Sequence, residues 1–223
     1  AAKAAGVTRV ILTSSTVAVL DARQTGLQDE SNWCDLTSSA ASSYARSKTL
    51  AEHAAWDFAT EQGLSLTTIN PGLVLGPPLD AHTGSSINLI TRVLKGKDPM
   101  LPDLSFPVVD VRDVALMHLR ALQRPETAGK RFIAATANLT MPEIGRILKA
   151  AYPARRIATR QAPFWLLRLL ALFDPELRQI LPQIGKPLRV TNTRACAEMD
   201  MAFIPPDEAL RASAAWLIAN TKL

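Results

Sequence analysis

A short β-branched run at residues 7–12 (Val-Thr-Arg-Val-Ile-Leu) and a second strand at 65–70 enclose a helical segment at Ser43–Gln62, and this order does most to limit the possible folds. A short, β-branched apolar run of this kind reads as a buried parallel strand. Strand, helix and strand then imply a right-handed crossover within one parallel sheet. The helix carries an apolar stripe of Leu50, Ala51, Ala54, Ala55, Phe58 and Ala59, and Gly63 stands where it must terminate. The first strand ends in Thr13-Ser14-Ser15-Thr16 and the second is stopped by Pro71-Gly72. Polar groups thus gather at the sheet edge where ligands bind in such folds.

From 21 to 42 the chain is polar and aperiodic, long for a connection, which predicts a functional lid or a short hidden element. A helix follows at 86–94, then a proline-rich loop through Pro107, a helix at 111–122 with Asp110 as its N-cap, and a short strand at 131–135. Thr140-Met141-Pro142-Glu143 has the form of a capping box opening a helix to Ala151. Asp113 belongs to the same helix start as Asp110 and is read as capping there. Beyond Tyr152 the alternation weakens, and 163–172, 175–181 and Pro206–Asn220 read as three more helices. Residues 1–6 read as the last turn of a helix closed by a glycine, with neither an initiator methionine nor a signal-like region, so the chain is expected to begin in mid-fold.

The 223 residues, 48% hydrophobic, suffice for a buried core. The most apolar stretch, 163–173, is far shorter than the roughly 20 residues a bilayer requires and is interrupted by Arg168, so no membrane partner is expected. Cys34 and Cys196 build neither a disulfide framework nor a zinc site and read as two reduced, buried thiols of a cytoplasmic protein. The charge of +5 is spread over 25 scattered basic residues, with Arg155-Arg156 the only adjacent arginine pair and 5% aromatic residues. That pattern argues against nucleic acid and suits a small phosphate-bearing ligand. His53, His82 and His118 lack metal-ligand spacing, so no metal is expected. Trp33, Trp56, Trp165 and Trp216 read as core or lid residues.

Tyr44 and Lys48 stand four apart near the helix start, one turn from each other on one face. A phenol of ordinary acidity is a poor proton donor at neutral pH, whereas one beside an ammonium ionises more readily and becomes a usable general acid. The two polar strand ends on either side of this helix allow Ser15, Tyr44 and Lys48 to converge at one sheet edge.

The blocks Val-Ile-Leu-Thr-Ser-Ser at 10–15, Ser-Tyr-Ala-Arg-Ser-Lys-Thr-Leu-Ala-Glu at 43–52 and Thr-Ile-Asn-Pro-Gly-Leu-Val-Leu-Gly-Pro at 68–77 follow one another along the chain. Phe-Pro-Val-Val-Asp-Val-Arg-Asp-Val-Ala at 106–115 continues them, as does, more weakly, Leu-Phe-Asp-Pro-Glu-Leu at 172–177. Together they resemble the extended short-chain dehydrogenase/reductases of the epimerase/dehydratase superfamily, within them the group similar to dihydroflavonol reductases and aldehyde reductases. The resemblance implies the C-terminal part of a Rossmann-type, doubly wound parallel α/β sheet with a smaller, mainly helical substrate lobe. Its expected division is 1–135 for the partial Rossmann domain, with a lobe insertion near 76–106, and 136–223 for the lobe.

By the same resemblance, Tyr44 donates the proton as hydride reaches the substrate carbonyl, Lys48 eases ionisation of the tyrosine and binds the nicotinamide ribose, Tyr44 is itself also a cofactor contact, and Ser15 orients the carbonyl oxygen, with Ser14 the alternative. Pro71, Gly72, Leu73 and Val74 match the segment beside the nicotinamide, and Ser15, Thr16 and Leu20 are the candidate substrate contacts. Leu20 stands where plant dihydroflavonol reductases carry a polar residue, which argues against a flavonoid substrate. The implied cofactor is NADP(H) in preference to NAD(H), and the implied partner a small carbonyl compound, bound by a monomer or homodimer. The family's phosphate-binding glycine motif is absent here, so the chain is expected to be an N-terminally truncated piece, inactive alone, with an unpaired strand edge and weak cofactor affinity. The rival readings are a nucleotide-sugar epimerase or dehydratase, a hydroxysteroid dehydrogenase, and a non-catalytic dinucleotide sensor.

Overall fold

The computed structural model describes residues 1–223 apart from Ala22, Thr25, Ser39, Ala81, His82, Lys222 and the side chains of Glu176 and Gln179. Its elements begin with β1 (Arg9–Thr13), β2 (Leu27–Gln28), α1 (Ser43–Gln62), β3 (Ser65–Pro71), β4 (Leu73–Leu75), α2 (Ser85–Lys95), β5 (Ser105–Asp110) and α3 (Val111–Gln123). They continue with β6 (Arg131–Ala134), β7 (Ala137–Thr140), α4 (Met141–Ala151), α5 (Phe164–Leu170), α6 (Pro175–Ile180), β8 (Arg189–Val190), α7 (Thr193–Met199) and α8 (Pro206–Asn220). The chain forms two compact units. The first comprises Ala1–Gly72, Arg112–Thr136 and Leu188–Phe203, and the second Leu73–Val111, Ala137–Pro187 and Ile204–Leu223. Residues 188–203, assigned to the helical lobe on sequence, thus lie in the first unit.

In the first unit the expected parallel sheet is present, in the order β1-β3-β6. Thr13 pairs with Ile69 and Pro71 with Ala134. Central β3 is buried from Leu66 to Pro71, as a strand covered on both faces should be. Ile69, Phe132, Ile133, Met117 and Ala121 are wholly buried. Among the described residues β1 pairs with β3 alone, and its residues are at most half-buried. The 21–42 stretch contains a hidden element: β2 pairs in parallel with β8, Leu27 opposite Arg189 and Gln28 opposite Val190. Two residues are too few to show any period.

Helix α1 spans the expected residues, with the Ser42 hydroxyl accepting from the Ala45 amide at 3.1 Å and Gly63 in the left-handed region at φ 61°. Its buried face differs from the expected stripe. Ala45, Thr49, Glu52 and Ala59 are buried, while Leu50, Ala51, Ala54 and Phe58 are exposed. Burying polar Thr49 and Glu52 is tolerable because both are hydrogen-bonded: Thr49 Oγ1 donates to the Ala45 carbonyl at 2.7 Å, and Glu52 joins the network described below.

The second unit holds a mixed sheet, β4-β5-β7, with β4 parallel and β7 antiparallel to β5. Part of the expected proline-rich loop is therefore strand. Pro107 is accommodated because β4 pairs with β5 only from Val108 onward, leaving the proline at an edge on that side. Helices α2, α4 and α8 cover this sheet through Ile90, Leu94, Ile144, Leu148, Leu210 and Leu217. The capping box forms as expected: the Glu143 amide donates to Thr140 Oγ1 at 3.3 Å, and the Thr140 amide to Glu143 Oε2 at 2.7 Å. Trp165, expected in a core or lid, is exposed on α5, whereas Trp216 is half-buried against the core of this unit. Among the described residues no helix is long and apolar enough to cross a membrane.

Candidate active site

The Ser42 cap starts α1 one residue before Ser43, which puts Tyr44 in its first turn and Lys48 a turn further along the same face. Arg46 ties the preceding loop to the helix by donating to the carbonyls of Leu36, Ser38 and Ala41. Tyr44 is 58% exposed and Lys48 half-buried. Among the described residues neither the Tyr44 hydroxyl nor the Lys48 ammonium has a hydrogen-bond or ion-pair partner.

The end of β1 carries Ser14 and Ser15, both buried. Their hydroxyls have different duties. Ser14 Oγ donates to Glu52 Oε2, so its proton is committed to a buried carboxylate. Ser15 Oγ accepts from the Val17 amide at 3.3 Å, capping the 3₁₀ turn Thr16–Ala18. Its own proton has no acceptor among the described residues. Helix α1 packs against this turn. Thr16 and Leu20, the other candidate substrate contacts, are buried within and after the turn, where the Thr16 carbonyl accepts from the Leu20 amide at 2.9 Å.

Beside Ser15, β3 ends in Asn70 and Pro71. Asn70 Nδ2 donates to the Ser15 carbonyl at 3.2 Å, and the Gly72 amide donates to the Ala134 carbonyl at 3.0 Å. Leu73 and Val74 open β4, opposite Val108 and Val109.

One group escaped the sequence reading. Glu52 is fully buried and accepts from Arg131 Nε at 2.7 Å, Asn70 Nδ2 at 2.7 Å, Thr68 Oγ1 at 3.1 Å and Trp56 Nε1 at 3.4 Å, besides Ser14. Burial pushes its acidity towards the neutral form, but the Arg131 hydrogen bond and charge, with Ser14 and Asn70, outweigh it and hold the carboxyl below its usual range. Arg131 also donates to the carbonyls of Glu30 at 2.9 Å and Asn32 at 2.7 Å, and lies 3.7 Å from the Trp33 ring centroid, where cation–π attraction favours it. His53 stacks on Trp33 at 3.8 Å. The sequence signal for this network was an acidic residue on a helix face that packs inward, Glu52, together with an arginine opening the otherwise apolar β6.

Glu30 is a second buried carboxylate, pushed up by burial although the Ile133 amide donates to it at 3.0 Å. Burial likewise raises the Cys34 thiol, while Cys196 is exposed, contrary to the expectation of two buried thiols. His118 bonds Thr13 Oγ1 at 2.7 Å and the Val114 carbonyl at 2.8 Å, and His82 lies outside the described residues. Among the described residues no three His, Cys, Asp or Glu side chains are grouped to hold a metal. Asp110 ends β5 with its side chain buried, and Asp113 is buried in the first turn of α3.

A parallel sheet with polar strand ends, and beside it a helix carrying an exposed phenol and a half-buried ammonium, defines an α/β protein of Rossmann type. Residues 1–135 match the NAD dependent epimerase/dehydratase family, and the chain belongs to that family. Among curated relatives, cinnamoyl-CoA reductase 1 of Arabidopsis thaliana is 36% identical over 165 residues, covering 72% of this chain and 48% of the relative. Anthocyanidin reductase of Vitis vinifera is 37% identical over 175 residues, covering 70% and 51%. The structure of yeast methylglyoxal/isovaleraldehyde reductase Gre2 complexed with NADPH superposes with a TM-score of 0.74 at 28% identity, covering 96% of this chain and 64% of that one. The chain spans about half the length of the curated relatives it matches.

Proposed function

We propose that the protein carrying this chain is an NADP(H)-dependent reductase of a small aldehyde or ketone, with Tyr44 as proton donor. The carrying observation is the pair Tyr44 and Lys48, without partners among the described residues and one turn apart on the helix that packs against the turn following Ser15. The side chains fit a nicotinamide riboside: the Lys48 ammonium and Tyr44 hydroxyl, without partners among the described residues, can meet ribose oxygens, and Pro71 and Gly72 end the strand beside Ser15. The naming of NADPH with the yeast Gre2 structure supports the cofactor choice.

When bound, the reduced nicotinamide supplies hydride to the carbonyl carbon. Ser15 Oγ donates its uncommitted proton as a hydrogen bond to the carbonyl oxygen and so orients it. As negative charge grows on that oxygen, Tyr44 Oη transfers its proton there, leaving a phenolate that the Lys48 ammonium stabilises. Buried Thr16 and Leu20 shape the substrate side of Ser15. The test is consumption of added NADPH by the full-length protein with a panel of small aldehydes and ketones. Stoichiometric oxidation of NADPH is expected, with reduction of the carbonyl compound to the alcohol. Turnover of a nucleotide sugar without net NADPH loss would replace this reading with the epimerase one, and cofactor binding without any turnover would replace it with the sensor.

A further inference from the structure

We propose that Glu52 is a positioning residue for the reductase chemistry, holding Ser15 in place through Asn70. The proposal rests on the reading of Ser15 as the group that orients the carbonyl. Glu52 sits two turns beyond Tyr44 on α1 and gathers four donors from three strands: Ser14 at the end of β1, Thr68 and Asn70 on β3, and Arg131 on β6. Asn70 spends its two amide protons on Glu52 Oε2 and the Ser15 carbonyl. The Ser15 backbone is therefore held by an amide whose orientation Glu52 sets. The same carboxylate sets how α1, with Tyr44 and Lys48, sits against the strand ends.

The requirement is for an acceptor on both oxygens. Arg131 Nε and Asn70 Nδ2 face opposite oxygens of the carboxylate, and neither can accept. A glutamine places its own donor against one or the other. Turned toward Asn70 it forces that amide to rotate and releases the Ser15 carbonyl, and turned toward Arg131 it leaves a buried guanidinium short of an acceptor. A buried ion pair is weak evidence of stabilisation for its own sake, since well-packed apolar residues often serve as well. What they cannot do is orient an amide.

The experiment is a double-mutant cycle in the full-length protein between Glu52→Gln and Ser15→Ala, with kcat, KM and NADPH affinity measured for each. We expect Glu52→Gln to lower kcat about tenfold or more while KM and NADPH affinity stay within about threefold, and to lower it less than about twofold when Ser15 is already alanine. Asn70→Ala, which keeps the Glu52–Arg131 pair, is expected to show the same non-additivity, so misfolding of Glu52→Gln would not shelter the idea. Equal losses in both backgrounds, or losses that merely follow the folded fraction, would overturn it. Tyr44→Phe made in parallel separates the two claims: retained turnover there condemns the proton-donor reading whatever the cycle shows.

Discussion

Ser14 and Ser15 are adjacent and both buried, yet one proton is committed to Glu52 and the other is not. That difference lies wholly in the long-range structure, since Glu52 is 38 residues from Ser14 and Arg131 a further 79 along the chain. The pairing of Tyr44 with Lys48 was legible because four-residue spacing is local. The Glu52–Arg131 pair was not, because nothing in either neighbourhood announces the other. The two buried carboxylates also respond oppositely to pH. Glu52 is held below its ordinary value of 4.5, so its contribution is present above that pH and is lost as pH falls through its lowered value. Glu30 is raised above 4.5, so the stability it contributes is full below that pH and is lost as pH rises through its raised value, when the buried carboxylate ionises near Asp29 and Arg194. Glu30→Gln, whose amide oxygen can still accept from Ile133, is therefore expected to raise the melting temperature at about pH 7.5 and to leave it nearly unchanged at about pH 4. Thermal melts at the two pH values check this, and a gain at the lower pH only would reverse the assignment.

Among the elements, those with local stop signals were readable and those held by distant partners were not. The ends of α1 at Ser42 and Gly63 and the start of α4 at Thr140 carry their own hydrogen-bonding groups. Strands β2, β4 and β8 are two or three residues long, and Pro107 makes β5 look like a loop. The apolar stripe of α1 misled because Leu50 and Phe58 are exposed while Thr49 and Glu52 turn inward to find partners. Thr140→Ala removes the acceptor for the Glu143 amide and is expected to cost about 1 kcal/mol in denaturant unfolding. Gly96→Ala is expected to cost more. Gly96 ends α2 at φ 61°, where an added Cβ would lie 1.6 Å from the Arg156 carbonyl oxygen. The positive φ alone costs about 1–2 kcal/mol, and the 156 backbone would have to move as well. If the glycine variant is the milder of the two, this account of the α2 terminus is wrong.

For the molecule as a whole, the α/β class followed from the order of strand, helix and strand, and the family blocks at 10–15 and 43–52 lie on elements of the first unit, whereas those at 68–77 and 106–115 run across a boundary between the units. The interleaving of two units was harder to see, because each is assembled from three separate stretches and the boundaries fall within continuous runs such as 71–74. The division expected from sequence has the insertion near 76–106 but not the return of 188–203 to the first unit. The proposed activity belongs to the full-length protein, since the chain covers about half of its curated relatives. Its central claim is that Tyr44 gives up the proton, while its contact with the cofactor is one of several that hold it. The direct measurement is single-substrate kinetics and NADPH affinity of Tyr44→Phe beside the unaltered protein. The account predicts a loss of about 10²-fold or more in kcat with NADPH affinity nearly unchanged; an unaltered kcat would contradict it.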